Sequence, residues 1–274
     1  MIDLDSSKAR SLIGFKCDEG VRRNRGRIGA FEGPDFIRKY LKFENFNVID
    51  LGDVVCEELD FTPAHKRLQA KVFEELEKGH FPIILGVSHD MSFSNFAAAA
   101  KYVRKGNGDA KIGAINIDPH FDLRDFDKGA NSSTSFNEMS KFCETNQLEY
   151  LYYCLRVNKQ SNADDLFTIA NKLGVRYSFD DELVKATELI NECISTCDYI
   201  YLTLDMDPFK SSLAPGVSAQ VKVGWDLETI ESLITLIKKS NKLILADIAE
   251  LNPRFDIDER TAKLAAHFTE FIFA

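Results

Sequence analysis

Eight apolar runs of strand length alternate with longer amphipathic stretches, and this alternation restricts the fold more than any other feature of the chain. The runs are 11–15, 47–51, 82–85, 112–117, 150–156, 175–179, 199–204 and 243–248. Helical periodicity fills 34–43, 62–78, 93–104, 136–147, 163–173, 181–196 and 226–239, with a last helix at 259–271. Strands that alternate with helices build β-α-β units, whose parallel strands are covered on both faces. Most of the runs are continuously apolar rather than alternating, as strands buried on both faces require. The expected fold class is therefore α/β: a single three-layer αβα domain over 1–274 with a mostly parallel, roughly eight-stranded sheet. No Pro/Gly/Ser-rich linker and no internal repeat divides the chain.

In open parallel sheets the ligand site lies beyond the carboxyl ends of the strands. Three long loops follow strands, at 17–33, 122–135 and 205–223, and chemistry is expected on them. Asp118, His120 and Asp122 stand at alternate positions after the run that ends at Ile117. An extended backbone turns alternate side chains to one side. His89 follows the run 82–85, Asp205 and Asp207 share a face after 199–204, and Glu250 follows 243–248. Uncompensated polar groups at the end of a buried strand are costly, and a metal ion removes that cost.

Each of these has a plain alternative. A histidine after a strand is more often a hydrogen-bonded loop residue than a ligand, and Asp205-x-Asp207 alone reads as a helix cap or turn. Their recurrence at successive strand ends is what points to one shared site. Two imidazoles (His89, His120) and four carboxylates (Asp118, Asp122, Asp205, Asp207) are too many anionic ligands for one divalent ion. They suit two ions bridged by shared carboxylates. Oxygen-rich sites with some imidazole favour Mn²⁺ over Fe²⁺ or Zn²⁺. A pure oxygen cage would indicate Mg²⁺ or Ca²⁺, and thiolates a structural zinc. Two ions roughly 3.5–4 Å apart bring the pKa of a shared water to about 7, which is hydrolysis without a covalent enzyme intermediate.

The remaining histidines read as ordinary: His65 opens a helix, His80 follows Gly79 at a helix end, and His267 lies on the last helix. The stretch 19–27 is locally basic, with Arg22, Arg23, Arg25 and Arg27. It fits a solvated loop or an anchor for an anionic substrate, since Arg forks pair well with carboxylates. The turn-rich segment 214–219 follows the Asp205/Asp207 pair, where substrate contact is expected over a plain loop.

A formal net charge of −9 argues against nucleic-acid binding and against docking on an anionic membrane. No run approaches the ~20 apolar residues of a membrane span. Residues 1–5 are acidic and lack a signal-peptide core, so the cytoplasm is the expected location. Six cysteines (17, 56, 143, 154, 193, 197) form no Cys-x-x-Cys and lie mostly in apolar segments, which reads as buried free thiols.

These motifs together resemble the ureohydrolase family of arginases, agmatinases and formimidoylglutamases. Gly86-Val87-Ser88-His89 is similar to its Gly-Gly-x-His element, and Asp118-Pro119-His120-Phe121-Asp122 to its Asp-Ala-His-x-Asp element. Asp205-Met206-Asp207 with the loop 214–219 resembles its Asp-x-Asp segment and Pro-Gly loop. Glu250-Leu251-Asn252-Pro253 with Asp256 resembles its closing Glu-x-Asn-Pro-x-x-Asp. The resemblance implies an arginase-like fold and two Mn²⁺ per chain. One ion would be held by His89, Asp118, Asp122 and Asp205, the other by His120, Asp118, Asp205 and Asp207, so that Asp118 and Asp205 bridge. Catalytic roles fall to Glu250, which would face the substrate's amidine or guanidine, and to Asp122.

Within the family, 18–24, the segment His120-Phe121-Asp122-Leu123-Arg124, the run 131–136 and the loop 214–219 are similar to formimidoylglutamases. Arginases and agmatinases usually carry a further histidine after the triplet, whereas here none occurs between His120 and His267. The chain departs from the family pattern at Val87, Ser88 and Gln220, and none of these is a ligand position. The implied activity is cleavage of the C–N bond of N-formimidoyl-L-glutamate to L-glutamate and formamide, a reaction of histidine degradation, by attack of a metal-bridging hydroxide. Arg22, Arg23, Asn24, Asn131, Ser132 and Ser133, with Glu250, are the candidate substrate contacts. The alternatives are a guanidino-compound hydrolase that releases urea and a non-catalytic metal-binding member of the fold. The expected partner is a small amidine or guanidine with a carboxylate, and assembly into a homo-oligomer stays open.

Overall fold

The continuous apolar runs become the strands of one parallel sheet. A computed structural model describes residues 9–43, 47–57, 60–221 and 223–274. Residues 1–5, read above for location, and Lys222 of the third loop lie outside the described residues. The elements in order are β1 (Arg10–Lys16), α1 (Glu19–Arg23), α2 (Gly33–Arg38), β2 (Val48–Val55), α3 (Phe61–Glu77), β3 (Phe81–Leu85), α4 (Met91–Gly106), β4 (Ile112–Ile117), α5 (Ser135–Thr145), β5 (Leu151–Val157), α6 (Asp164–Leu173), β6 (Arg176–Phe179), α7 (Leu183–Thr196), β7 (Tyr199–Asp205), α8 (Leu227–Lys239), β8 (Leu243–Ala249) and α9 (Arg260–Phe273).

The sheet order is β2-β1-β3-β8-β7-β4-β5-β6, and every neighbouring pair is parallel. Successive strand residues point to opposite faces. Leu12, Ile83, Ile115 and Leu202 therefore enter one core, with Ile37 of α2, Ile190 of α7, Ile230 of α8 and Phe268 of α9. Ile13, Ile84, Ala114 and Tyr201 enter the other, with Leu68 of α3, Phe96 of α4, Met139 of α5 and Ala170 of α6. Each fully buried aliphatic side chain contributes about 1.5–3 kcal/mol. This is the α/β three-layer architecture that the alternation predicts. Among the described residues no helix is long and apolar enough to cross a membrane.

The site follows from the strand order. β3, β8, β7 and β4 are consecutive in the sheet, and their carboxyl ends deliver His89, Glu250, Asp205/Asp207 and Asp118 respectively. Because all four run parallel, these ends share one edge of the sheet.

Three elements differ from the sequence reading. β2 is half-exposed rather than buried, because it is an edge strand. Its Asp50 and Asp53 pair with Arg38 at 2.8 and 2.5 Å. Gly14 of β1 makes room for that carboxylate, since a Cβ there would stand 1.9 Å from Asp53 Oδ1. α2 ends at Arg38 instead of 43, and Lys39 turns its Nζ to Glu259 at 2.6 Å ahead of α9. The loop 17–33 holds the short helix α1, which is supported by Glu19 with Arg22 and Arg23 at helical spacing.

Candidate metal centre and substrate cavity

His89 leaves β3 through Gly86, whose amide donates to Ile248 O at 2.9 Å. Its imidazole is buried, and the two ring nitrogens face different surroundings. Nε2 lies 2.8 Å from Thr203 Oγ1, and Thr203 Oγ1 donates to Asp247 Oδ1 at 2.5 Å. Thr203 has spent its hydrogen on Asp247, so it accepts from Nε2–H, and the hydrogen-bond network assigns the tautomer. Asp247 is held in turn by Asn95 at 2.7 Å and by the Tyr201 hydroxyl.

Nδ1 then carries a lone pair. It points among Asp118 Oδ2 at 3.0 Å, Asp122 Oδ2 at 3.2 Å and Asp205 Oδ2 at 3.2 Å, yet it has no hydrogen-bond partner among the described residues. A lone pair directed at three carboxylate oxygens calls for a cation between them. His89, Asp118 and Asp205 have ligand atoms all within 4.8 Å of one another, and all three residues are buried. The donor set of imidazole and carboxylate oxygen suits a divalent transition ion of the manganese type. The Thr203–Asp247 chain behind Nε2 is the outer-shell support that metal-bound histidines use.

Beyond Ile117 the chain is no longer strand, so the convergence of the triplet does not come from an extended backbone. The His120 amide donates to Asp118 Oδ1 at 2.7 Å, and Asp122 sits at φ 48, a left-handed conformation uncommon for a residue with a side chain. This turn still aims all three groups inward. Asp118 faces both imidazoles, with Oδ2 3.0 Å from His89 Nδ1 and Oδ1 3.2 Å from His120 Nδ1. Asp207 Oδ2 lies 3.7 Å from His120 Nδ1. Asp205 Oδ1 accepts the Asp207 amide at 2.6 Å, which leaves Oδ2 directed at the centre. Glu250, at φ 67, accepts the His89 amide at 3.0 Å.

The electrostatics fit a cation site. Burial, with the charge of Asp118, pushes Asp205 up to about 8. Burial, with Asp207 nearby, pushes Glu250 up to about 8. Burial and Asp205 raise Asp207 well above the carboxylate range, and burial and Asp118 raise Asp122. Burial also acts on Asp118, but the hydrogen bond with His120 and the nearness of both imidazoles outweigh it and hold the group below its ordinary value. Burial lowers His120, yet the contact with Asp118 overrides it and carries the ring to about 10. Carboxylates crowded in this way repel one another until positive charge is supplied.

Above this floor lies a cavity of about 210 Å³. His120, Asp122, Asp205, Asp207 and Glu250 line it together with Asn24, Arg124, Ser132 and Ser133. Ser218 and Ala219 of the Pro-Gly loop also line it. Arg27 ties that loop to the first one through Val217 O and Ser218 O, at 2.9 and 2.6 Å.

Of the expected substrate contacts, Asn24, Ser132 and Ser133 reach the cavity. Arg22 and Arg23 do not line it. Both bind Glu19, at 2.6 and 2.8 Å, and Arg23 also stacks on Phe61 with its guanidinium 4.3 Å from the ring centroid. Asn131 does not line it either, because its Oδ1 accepts the Ser133 amide at 3.0 Å and shapes the turn.

Arg124 is a cavity cation that the sequence reading left unassigned, although it stands only two residues after Asp122. Asp247, a carboxylate inside the apolar run of β8, and Thr203, on the face of β7 that carries Asp205, also went unassigned. Thr203→Val keeps the shape and removes the acceptor for His89 Nε2–H. Mn²⁺ affinity is expected to fall about 10–100-fold, as for outer-shell partners elsewhere, and a metal titration followed by activity measures it.

Comparison with known proteins agrees with this geometry. A family model described as Arginase family matches residues 8–274. The chain is 40% identical over 266 residues to the formimidoylglutamase of Aeromonas hydrophila subsp. hydrophila, across 93% of this chain and 83% of that protein. The crystal structure of Trypanosoma cruzi formiminoglutamase with Mn2+2 superposes with a TM-score of 0.85 at 25% identity, over 98% of this chain and 93% of that one. An arginase from Bacillus subtilis shares the fold, with a TM-score of 0.82 at 22% identity over 97% and 99%.

Proposed function

This chain belongs to the arginase family, and we propose that it is a manganese-dependent formimidoylglutamase that hydrolyses N-formimidoyl-L-glutamate to L-glutamate and formamide. The observation that carries the reading is a cavity lined by both acidic groups and a guanidinium. Acidic groups and Glu250 are there to meet a cationic amidine, and the Arg124 guanidinium is there to meet a carboxylate. The relative at 40% identity is a formimidoylglutamase, which supports the same substrate. Release of L-glutamate and formamide in equal amounts tests it, and a wild-type protein that releases neither contradicts it.

The lone pair of His89 Nδ1 among three carboxylates fits a metal ion, and the Trypanosoma cruzi structure carries manganese. We assign one ion to His89, Asp118, Asp122 and Asp205 and a second to His120, Asp118, Asp205 and Asp207. The position of Asp118 between both imidazoles supports a bridging role. When bound, the metal supplies Lewis acidity and lowers the pKa of a water. Two manganese ions per chain after reconstitution is the expected result of elemental analysis, and one or none contradicts the assignment.

The residues of the chain then divide the work. Glu250 holds the amidinium and stabilises its charge while the water oxygen bonds to the formimidoyl carbon. The bond from that carbon to the glutamate nitrogen breaks, and Asp122 carries the proton lost by the water to the departing nitrogen. Arg124 binds a substrate carboxylate and is itself oriented by Asn24 Oδ1 at 3.1 Å. Arg124→Met withdraws a charged hydrogen bond of about 1.5–3 kcal/mol, so KM is expected to rise roughly 10- to 100-fold with kcat little changed. Arg22, Arg23 and Asn131 act, in this reading, by shaping the wall. We further take the chain as one catalytic domain working in the cytoplasm, which its single sheet and six free cysteines support.

A further inference from the structure

Asp90 is a buried acid that the reaction leaves unused, and it directly follows His89. It is 2% exposed, and neither carboxylate oxygen accepts a hydrogen bond among the described residues. Two elements close on it. From α3, His65 brings Nε2 to 3.5 Å from Asp90 Oδ1. The ring is fixed behind by Ser94 Oγ, 2.8 Å from Nδ1, and by Phe15 and Phe61 at centroid distances of 4.9 and 4.3 Å. When Ser94 donates to Nδ1, the ring hydrogen on Nε2 faces Asp90.

From the first loop, α1 lays Gly20 against the other oxygen. A Cβ at Gly20 would stand 1.5 Å from Asp90 Oδ2 and 2.6 Å from Asp90 Cγ. Gly20 is therefore needed for close approach. α1 also organises the substrate-facing wall. Val21 and Asn24 line the cavity, and Gly20 O accepts the Asn24 and Ser132 amides at 3.0 and 3.3 Å. Asn24 in turn binds Ser132, Ser133 and Arg124.

We propose that Asp90 is a positioning residue. Faced by His65 Nε2 at 3.5 Å, it is the stop against which Gly20 seats α1. It thereby sets the distance between the turn that presents His89 and the wall that grips the substrate's carboxylate end. The inference rests on the substrate reading above for the identity of that wall.

Gly20→Ala puts a methyl group where the carboxylate lies and pushes α1 outward. KM for formimidoylglutamate is expected to rise at least about 10-fold, with kcat and manganese content within about twofold of wild type. Adding Asp90→Ala returns space, since it removes the two nearest atoms and leaves Asp90 Cβ, at 3.2 Å, as the nearest neighbour of the methyl. The double variant is expected to recover at least about threefold in KM over Gly20→Ala. His65→Leu keeps the packing against Phe15 and Phe61 without the Nε2 hydrogen and is expected to raise KM several-fold, whereas His65→Gln restores it.

Amide exchange over 19–27 needs no substrate. It is expected to rise in Gly20→Ala and in His65→Leu and to fall back in the double variant. This readout separates failure of the positioning role from failure of the substrate assignment, and the His65 pair decides if Gly20→Ala does not fold. Wild-type KM and exchange in Gly20→Ala, a double variant no better than the single one, or His65→Leu with wild-type KM and exchange would overturn the proposal. So would kcat and metal content that fall as KM rises.

Discussion

Asp205→Ala is expected to strip the metal centre and lower turnover by more than about 100-fold, beyond the range seen when only an outer-shell partner of a metal ligand is removed. Asp205 Oδ2 is one of the three oxygens around His89 Nδ1, and Asp205 is one of three buried residues whose ligand atoms lie within 4.8 Å of one another. The fold should survive. Burial raises this carboxyl to about 8, so its charge does not stabilise the metal-free fold. The bond from the Asp207 amide is lost, at a cost of about 1–3 kcal/mol, within the margin of an ordinary domain. Elemental analysis and turnover on the same preparation check the prediction. Full metal content with full activity would remove Asp205 from the centre.

Glu250→Gln is expected to separate metal binding from chemistry. Glutamine keeps an Oε1 to accept the His89 amide, now at 3.0 Å, so the turn that presents His89 stays in place. What is lost is a carboxylate in the lining of the cavity. Preorganised charge of this kind is worth on the order of 100- to 1,000-fold in rate. kcat/KM should fall by that order while manganese content stays at the wild-type level. Activity within a few-fold of wild type would exclude Glu250 from amidinium stabilisation.

The parts of the fold legible in the sequence are those where one force dominates. β3, β4, β7 and β8 lie inside the sheet, both faces are buried, and their runs are apolar apart from single polar residues such as Asn116, Thr203 and Asp247. The polar residues at their ends could be recognised because nothing local explains them. β2 and β6 are edges, where one face meets solvent and the pattern weakens. α1 was hidden because five residues are too few to show a period.

The substrate wall was the less legible half. The arginines at 22 and 23 read as free cations, yet Glu19 stands three and four residues before them, a spacing at which helical neighbours neutralise each other. The cation that does line the cavity is Arg124, in a loop whose turn depends on Asn131 and Thr134. His65 read as an ordinary helix residue because its partners, Asp90 and Ser94, come from a different segment of the chain. Contacts between loops distant in sequence leave no periodic trace.

The central claim is the substrate, and initial rates of the manganese-loaded protein across a small panel test it most directly. L-Glutamate release from N-formimidoyl-L-glutamate should exceed urea release from arginine, agmatine and guanidinobutyrate by orders of magnitude. Urea release from any guanidino compound faster than glutamate release would contradict it.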